Sequence, residues 1–173
     1  DCFIINQSKM KFRIQLLIIL YLLIFHRGYA QKQDSLLNQH WLTLKEVLLR
    51  KANHVKELSN LLSKFSKINK TIPENAQNFA ELFTRTINAV ERINNSSIGT
   101  INIQNRQLSS MTRRLLTKAL NHSKSKQWSD LAIELAMQLE GCENRIAVAR
   151  GQYNELCNQY KMTDLFFGPY EPE

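Results

Sequence analysis

The sequence predicts an all-α protein, an elongated antiparallel bundle of about four helices, and three observations carry the prediction. Four long stretches place apolar residues three or four positions apart, the repeat that gathers them on one face of a helix. Short polar or Pro- and Gly-bearing segments bound these stretches. Only 5 Gly and 3 Pro occur in 173 residues, too few for a turn-rich β-sandwich, and 43% apolar with 22% charged residues is a globular composition. A chain of this length is sized for one hydrophobic core.

At the N-terminus, residues 1–9 precede a better start at Met10 and are expected to lie upstream of the native one. Residues 10–30 read as a signal peptide or signal anchor. Lys11 and Arg13 supply the basic start, Ile14 to Phe25 the apolar run, and Gly28 and Ala30 the small residues before a cut at Gln31. The run is short of the roughly 20 residues a spanning helix needs, so cleavage is the expected outcome. The alternatives are a retained single-pass or tilted anchor, favoured by Tyr29 and the polar flank, and a buried core helix. Residues 31–161 then form the bundle and 162–173 an irregular tail.

The first bundle helix is expected over about 35–66, capped by Asp34 or Ser35 and buried through Leu37, Trp41, Leu44, Leu48, Ala52, Val55, Leu58, Leu62 and Phe65. Thr71-Ile72-Pro73-Glu74 signals a fresh start with a first-turn proline. That second helix should continue to about Asn94 on a stripe of Phe79, Leu82, Phe83, Ile87, Val90 and Ile93. Asn94 to Gly99 read as a loop. A third helix over about 101–122 buries Leu108, Met111, Leu115 and Ala119 and turns Arg106, Arg113, Arg114 and Lys118 outward. After a polar interruption at 121–127, a fourth helix over about 128–161 has the stripe Trp128, Leu131, Leu135, Leu139, Cys142, Ile146, Ala149, Tyr153, Leu156 and Tyr160. Its two consecutive steps of four, 131 to 135 to 139, read as a stutter. The tail packs loosely through Phe166 and Phe167.

Catalytic and metal chemistry finds no foothold in these patterns. No Glu-x-x-His pair of a di-metal bundle occurs, and His40 and His54 stand about 21 Å apart on one helix, so neither a metal nor a cofactor is expected. Ser123-Lys124-Ser125-Lys126 fits Ser-x-x-Lys without its companion elements, and no Gly-rich phosphate cradle or nucleophile elbow appears. The chain is therefore expected not to be an enzyme. Glu140 and Glu143 near Arg145 and Arg150 read as helix-surface ion pairs. Trp41, Trp128, Tyr153 and Tyr160 read as core and not as a stacking platform. Cys142 and Cys157 lie about 22 Å apart along a helix, beyond disulfide reach. Asn69, Asn94, Asn95 and Asn121 begin Asn-x-Ser/Thr triplets, which matter only where glycosylation occurs.

The formal charge is +8, and loss of residues 1–30 removes four cations and Asp1, leaving +5. Outside the cytosol that excess favours anionic lipid or acidic envelope polymer, and nucleic acid is not an expected partner.

The stretch Leu139-Glu140-Gly141-Cys142-Glu143-Asn144-Arg145-Ile146-Ala147-Val148-Ala149-Arg150, followed by Tyr153-Asn154, closely resembles the C-terminal signature of the LemA family. Trp41-x-x-Leu44 and Leu49-Arg50-Lys51-Ala52 look like the family's first-helix segment. The acidic residue and Ile-Pro-Asn step that commonly follow are replaced here by Asn53, Val55, Lys56 and Glu57. Leu165-Phe166-Phe167-Gly168-Pro169-Tyr170-Glu171 is similar to a shortened form of the family's closing aromatic segment. The resemblance covers most of residues 36–170, most strongly after Trp128. It implies a LemA-like helical bundle exported to, or anchored at, a bacterial cell envelope. It carries no established catalytic activity, so Glu140, Gly141, Glu143, Asn144, Arg145, Arg150, Tyr153 and Asn154 are motif residues without an assigned role. Gly141 and Gly151 are expected to permit close approach of helices. The resulting expectation is an envelope interaction or scaffold protein with a protein partner, touching the membrane by its N-terminal segment or basic surface. The alternative is an electrostatic binder of anionic lipid or envelope polymer.

Overall fold

The computed structural model describes residues 2–64, 69–121 and 126–168. Four α-helices follow one another, α1 (Cys2–Ser63), α2 (Thr71–Ala89), α3 (Asn95–Asn121) and α4 (Lys126–Gln159), and a single 3-10 turn spans Thr163–Leu165. Among the described residues there is no strand. The chain divides into two compact units, residues 1–37 and 38–173, with α1 contributing to both.

In the first unit the helix does not begin at Asp34 or Ser35 as expected. Gln31, Lys32 and Gln33 favour helix, no Pro stands between Phe25 and Asp34, and the single Gly28 there does not end α1. Every side chain from Gln15 to Phe25 is exposed, with Leu16 to Phe25 each more than half accessible, and Tyr21 stacks on Phe25 one turn later at 6.3 Å. No helix among the described residues is long and apolar enough to cross a membrane. Ile14 to Phe25 is about two-thirds of the necessary length.

The second unit is built on heptad spacing. Along its part of α1 the buried positions are Trp41, Leu44, Leu48, Lys51, Val55, Leu58 and Leu62, alternating steps of three and four, with Ala52 and Ser59 also buried beside them. Ile98, Ile101, Asn105, Leu108, Thr112, Leu115 and Ala119 repeat the rhythm on α3. On α4 it is kept by Ala132, Leu135, Leu139, Cys142, Ile146, Ala149, Tyr153 and Leu156. The expected stutter is absent, because Ala132 and not Leu131 takes the seam position and Leu131 is 40% exposed. Thr112 likewise displaces Met111. Phe65 and Trp128 lie outside the residues whose side chains are described, and Tyr160 is only half-buried.

Interhelical contacts give an up-down-up-down order within this unit. Lys45 Nζ donates to the carbonyls of Asn88 (3.4 Å) and Val90 (3.2 Å), which sets the C-terminal end of α2 beside the Lys45 turn of α1. Contacts of Lys51 with Asn105 and Ser109 run α3 parallel to α1, and those of Trp41 and Lys51 with the Phe167 segment and Glu143 run α4 antiparallel to it.

Two boundaries differ from expectation. α2 ends at Ala89, five residues early, and buries Pro73, Ala76, Ala80, Phe83 and Ile87, leaving Leu82 44% exposed. The apolar stripe is rotated toward the alanines, which let α2 lie close. The Asn94–Gly99 run is the start of α3 and not a loop. Ser97 N–H donates to Asn94 Oδ1 (2.8 Å) and Asn94 N–H donates to Ser97 Oγ (2.9 Å), a reciprocal capping box that satisfies two of the orphan donors at a helix start. Residues 122–125, including most of the Ser-x-x-Lys match, lie outside the described residues.

Candidate functional site

The signature on α4 divides by side. Glu143, Arg150, Tyr153 and Asn154 turn inward, whereas Glu140, Asn144 and Arg145 are exposed and Gly141 is half-exposed. The inward set organises two polar features of the core.

The first centres on Lys51, which is fully buried. Its ammonium lies 2.6 Å from Glu143 Oε1 and donates to Asn105 Oδ1 (2.8 Å) and Ser109 Oγ (2.6 Å), so α1, α3 and α4 meet at one cation. Ser109 Oγ is also 2.9 Å from Glu143 Oε1 and 3.1 Å from the Asn105 carbonyl, and its single proton serves one of them. Burial pushes the Lys51 pKa below the ordinary lysine value, with the adjacent Glu143 carboxylate opposing that shift. Glu143 Oε2 is buried without a hydrogen-bond partner among the described residues. Glu143 therefore makes an interhelical pair and not the helix-surface pair expected of it with its neighbours.

The second feature holds the tail, which is not loosely packed. Phe167 is 2% exposed, stacked on Trp41 at 6.4 Å and edge-on to Tyr153 at 5.4 Å. Asn154 grips its backbone from both sides: Nδ2 donates to the Phe167 carbonyl (2.8 Å) and Oδ1 accepts from Phe167 N–H (3.0 Å). The Arg150 guanidinium lies 5.3 Å from the Phe167 ring centroid and donates to the Gly168 carbonyl. Burial, with Arg106 adding repulsion, lowers the Arg150 pKa to about 10, which leaves it a cation at neutral pH. Burial raises the Tyr153 phenol, the Cys142 thiol and the Cys157 thiol, and both cysteines are free, as their spacing required.

Two of the outward set, Gly141 and Arg145, line a groove of about 410 Å³ between α1 and α4, together with Arg50 and His54 from α1 and Glu134 and Met137 among others from α4. Arg50 pairs with Glu46 (2.9 Å) and His54 with Glu57 (3.1 Å), both at the surface. Among the described residues no carboxylate pairs with Arg145. A Cβ built on Gly141 or Gly151 would meet nothing within 4 Å. Among the described residues the expected close helix approach at these glycines is therefore not made. Among the described residues no group of three or more His, Cys, Asp or Glu side chains is placed to hold a metal ion.

Lys51 falls within the quoted first-helix segment but was given no role there, and Asn105 and Ser109 belong to no sequence motif. Their signal is positional, since Lys51 and Asn105 are polar residues at heptad seam positions otherwise held by apolar ones.

Fold and core together define an all-α bundle protein whose inward signature residues fasten three helices and a closing aromatic segment to one another. The chain belongs to the LemA family, whose model matches residues 27–165. No curated protein and no solved structure matches the chain.

Proposed function

We propose that this LemA-family protein is an interaction or scaffold protein of the cell envelope that works by binding a protein partner. The observation that carries the reading is the division of the α4 signature. Its inward residues are accounted for by assembly of the fold, while Gly141 and Arg145 stand at an open groove and Glu140 and Asn144 on the exposed surface. Polar residues held outside the core and unused in packing are what a docking surface requires. The basic start, the exposed apolar run from Leu16 to Phe25 and the small residues Gly28 and Ala30 support export. Envelope fractionation of full-length protein, followed by crosslinking and capture, tests this; recovery solely from the cytosol with residues 11–30 intact refutes it.

A second reading rests on α3, where Arg106, Arg113, Arg114 and Lys118 are all exposed. That face suits anionic lipid or an acidic envelope polymer. Such binding weakens with salt, because surface charges are screened within about 8–10 Å near physiological ionic strength. Liposome co-sedimentation that is the same at low and high salt excludes it.

A further inference from the structure

We propose that the groove between α1 and α4 is a binding site for an extended, carboxylate-bearing segment of a partner protein, with Arg145 and Arg50 receiving the carboxylate over a floor made by Gly141. The proposal rests on the interaction reading above and names the chemistry of its partner.

Four observations converge. Arg50 from α1 and Arg145 from α4 both line the groove, so two cations face it from neighbouring helices. Arg145 has no carboxylate partner among the described residues, and the one partner of Arg50, Glu46, is 71% exposed. An exposed pair of that kind contributes little, so a ligand carboxylate exchanges for Glu46 at small cost. Gly141 sits within a helix, where glycine is disfavoured relative to alanine, and no packing inside the chain requires it. What its missing side chain does is keep the groove open, the role glycine has where another backbone comes close. Finally, Met137 is 67% exposed on the rim, an apolar, adaptable contact beside the cations.

The occupant follows from these features. The lining of α4 runs from Glu134 to Arg145, about 16 Å at 1.5 Å per residue, which matches about five residues of extended peptide at roughly 3.3 Å each. Glu134 and Gln138 at the far end disfavour a second anionic group and offer hydrogen bonds to a peptide backbone. A mixed lining of paired guanidiniums, one carboxylate, an amide and a thioether suits a peptide with a carboxylate at one end better than a phosphate-rich surface.

The test is fluorescence anisotropy with a labelled hexapeptide of alternating glutamate and leucine, its glutamine counterpart, inorganic phosphate as competitor, and phosphatidylglycerol vesicles. Saturable binding of the glutamate peptide is expected, about tenfold or more weaker for the glutamine peptide and for Arg145→Ala, and unchanged for Arg113→Ala on α3. Gly141→Leu fills the groove without touching the core, so it should abolish binding while the protein melts no lower than the parent. Equal binding by the parent, Arg145→Ala and Gly141→Leu overturns the proposal, as does absence of peptide binding. Co-sedimentation with phosphatidylglycerol vesicles, with no peptide binding, overturns it in favour of a phosphate-bearing ligand. Envelope crosslinking separates the two levels: a partner captured equally by parent and Gly141→Leu leaves the interaction reading standing and removes the groove from it.

Discussion

The Lys51–Glu143 pair makes an asymmetric prediction. Lys51 is fully buried, whereas the Glu143 side chain is 21% exposed, so the two charges are not equally able to survive alone. Glu143→Leu strands a buried ammonium that has only Asn105 and Ser109 as neutral acceptors, and removal of one partner of a buried pair costs about 3–5 kcal/mol. Lys51→Met leaves a carboxylate that keeps the Ser109 hydroxyl as donor on a partly exposed side chain, and should cost less, about 1–3 kcal/mol. The double variant removes both charges and their desolvation. It leaves Asn105 Oδ1 without its lysine donor, about 1–2 kcal/mol, and should therefore be more stable than Glu143→Leu alone. For a unit spanning residues 38–173, each kcal/mol shifts Tm by about 3–4 °C, given about 2.1 cal/mol/K of unfolding entropy per residue. Glu143→Leu should then melt about 10–17 °C below the parent by circular dichroism, with the double variant recovering at least half of that loss. Equal losses from the two single variants, or a double variant that simply adds them, would show that the pair does not hold the three helices as a unit.

Phe167→Ala should cost about 3–5 kcal/mol, as truncation of a buried aromatic does, and should alter near-ultraviolet dichroism through Trp41; a loss below about 1 kcal/mol would mean the tail is not part of the core. Asn154→Ala removes both hydrogen bonds to the Phe167 backbone and should cost about 2 kcal/mol in urea denaturation, an effect that must vanish in a Phe167→Ala background if Asn154 acts only through the tail. Burial raises the Cys157 thiol above its model-compound value of 9.0, so the unfolded chain loses that proton before the folded one. Stability contributed by Cys157 is thus complete below about pH 9 and is lost as pH rises further, and Cys157→Ala should flatten the alkaline fall in Tm; an unchanged slope contradicts the assignment. Sequencing of protein from the envelope should begin at Gln31, because Gly28 and Ala30 provide the small side chains a signal peptidase accepts, and an intact terminus at Met10 would refute cleavage.

What sequence periodicity reveals is the existence of an apolar face, and this is why four helices, the burial of Trp41, Leu44, Phe83 and Tyr153, and the free state of both cysteines were legible. What it does not reveal is which of two adjacent residues occupies the seam. At 131–132 and 111–112 the larger apolar residue looked like the buried one, yet Ala132 and Thr112 take the seam because a close helix neighbour rewards fit over bulk. At 51–52 both residues are buried, and an apolar template accepts Ala52 and passes over the lysine that joins three helices. Asn94 to Ser97 show a second kind of ambiguity. The side chains that make turns by bonding nearby backbone also make helix caps by the same bonds, and only the reciprocal Asn94–Ser97 geometry decides between them.

The signature on α4 carries the same lesson to function. Its residues alternate between faces within a few positions, so a linear motif merges two jobs that the helix separates: Glu143 and Asn154 answer to Lys51 and Phe167, distant in sequence, while Gly141 and Arg145 meet no such partner among the described residues. Distant partners are invisible in a local pattern. They account for the inward residues by assembly of the fold, and leave Gly141 and Arg145 as the two signature residues that line the open groove. A helix that keeps a costly glycine on the same groove as an arginine with no carboxylate partner among the described residues, four residues apart and so on one face, presents both to whatever lies in that groove.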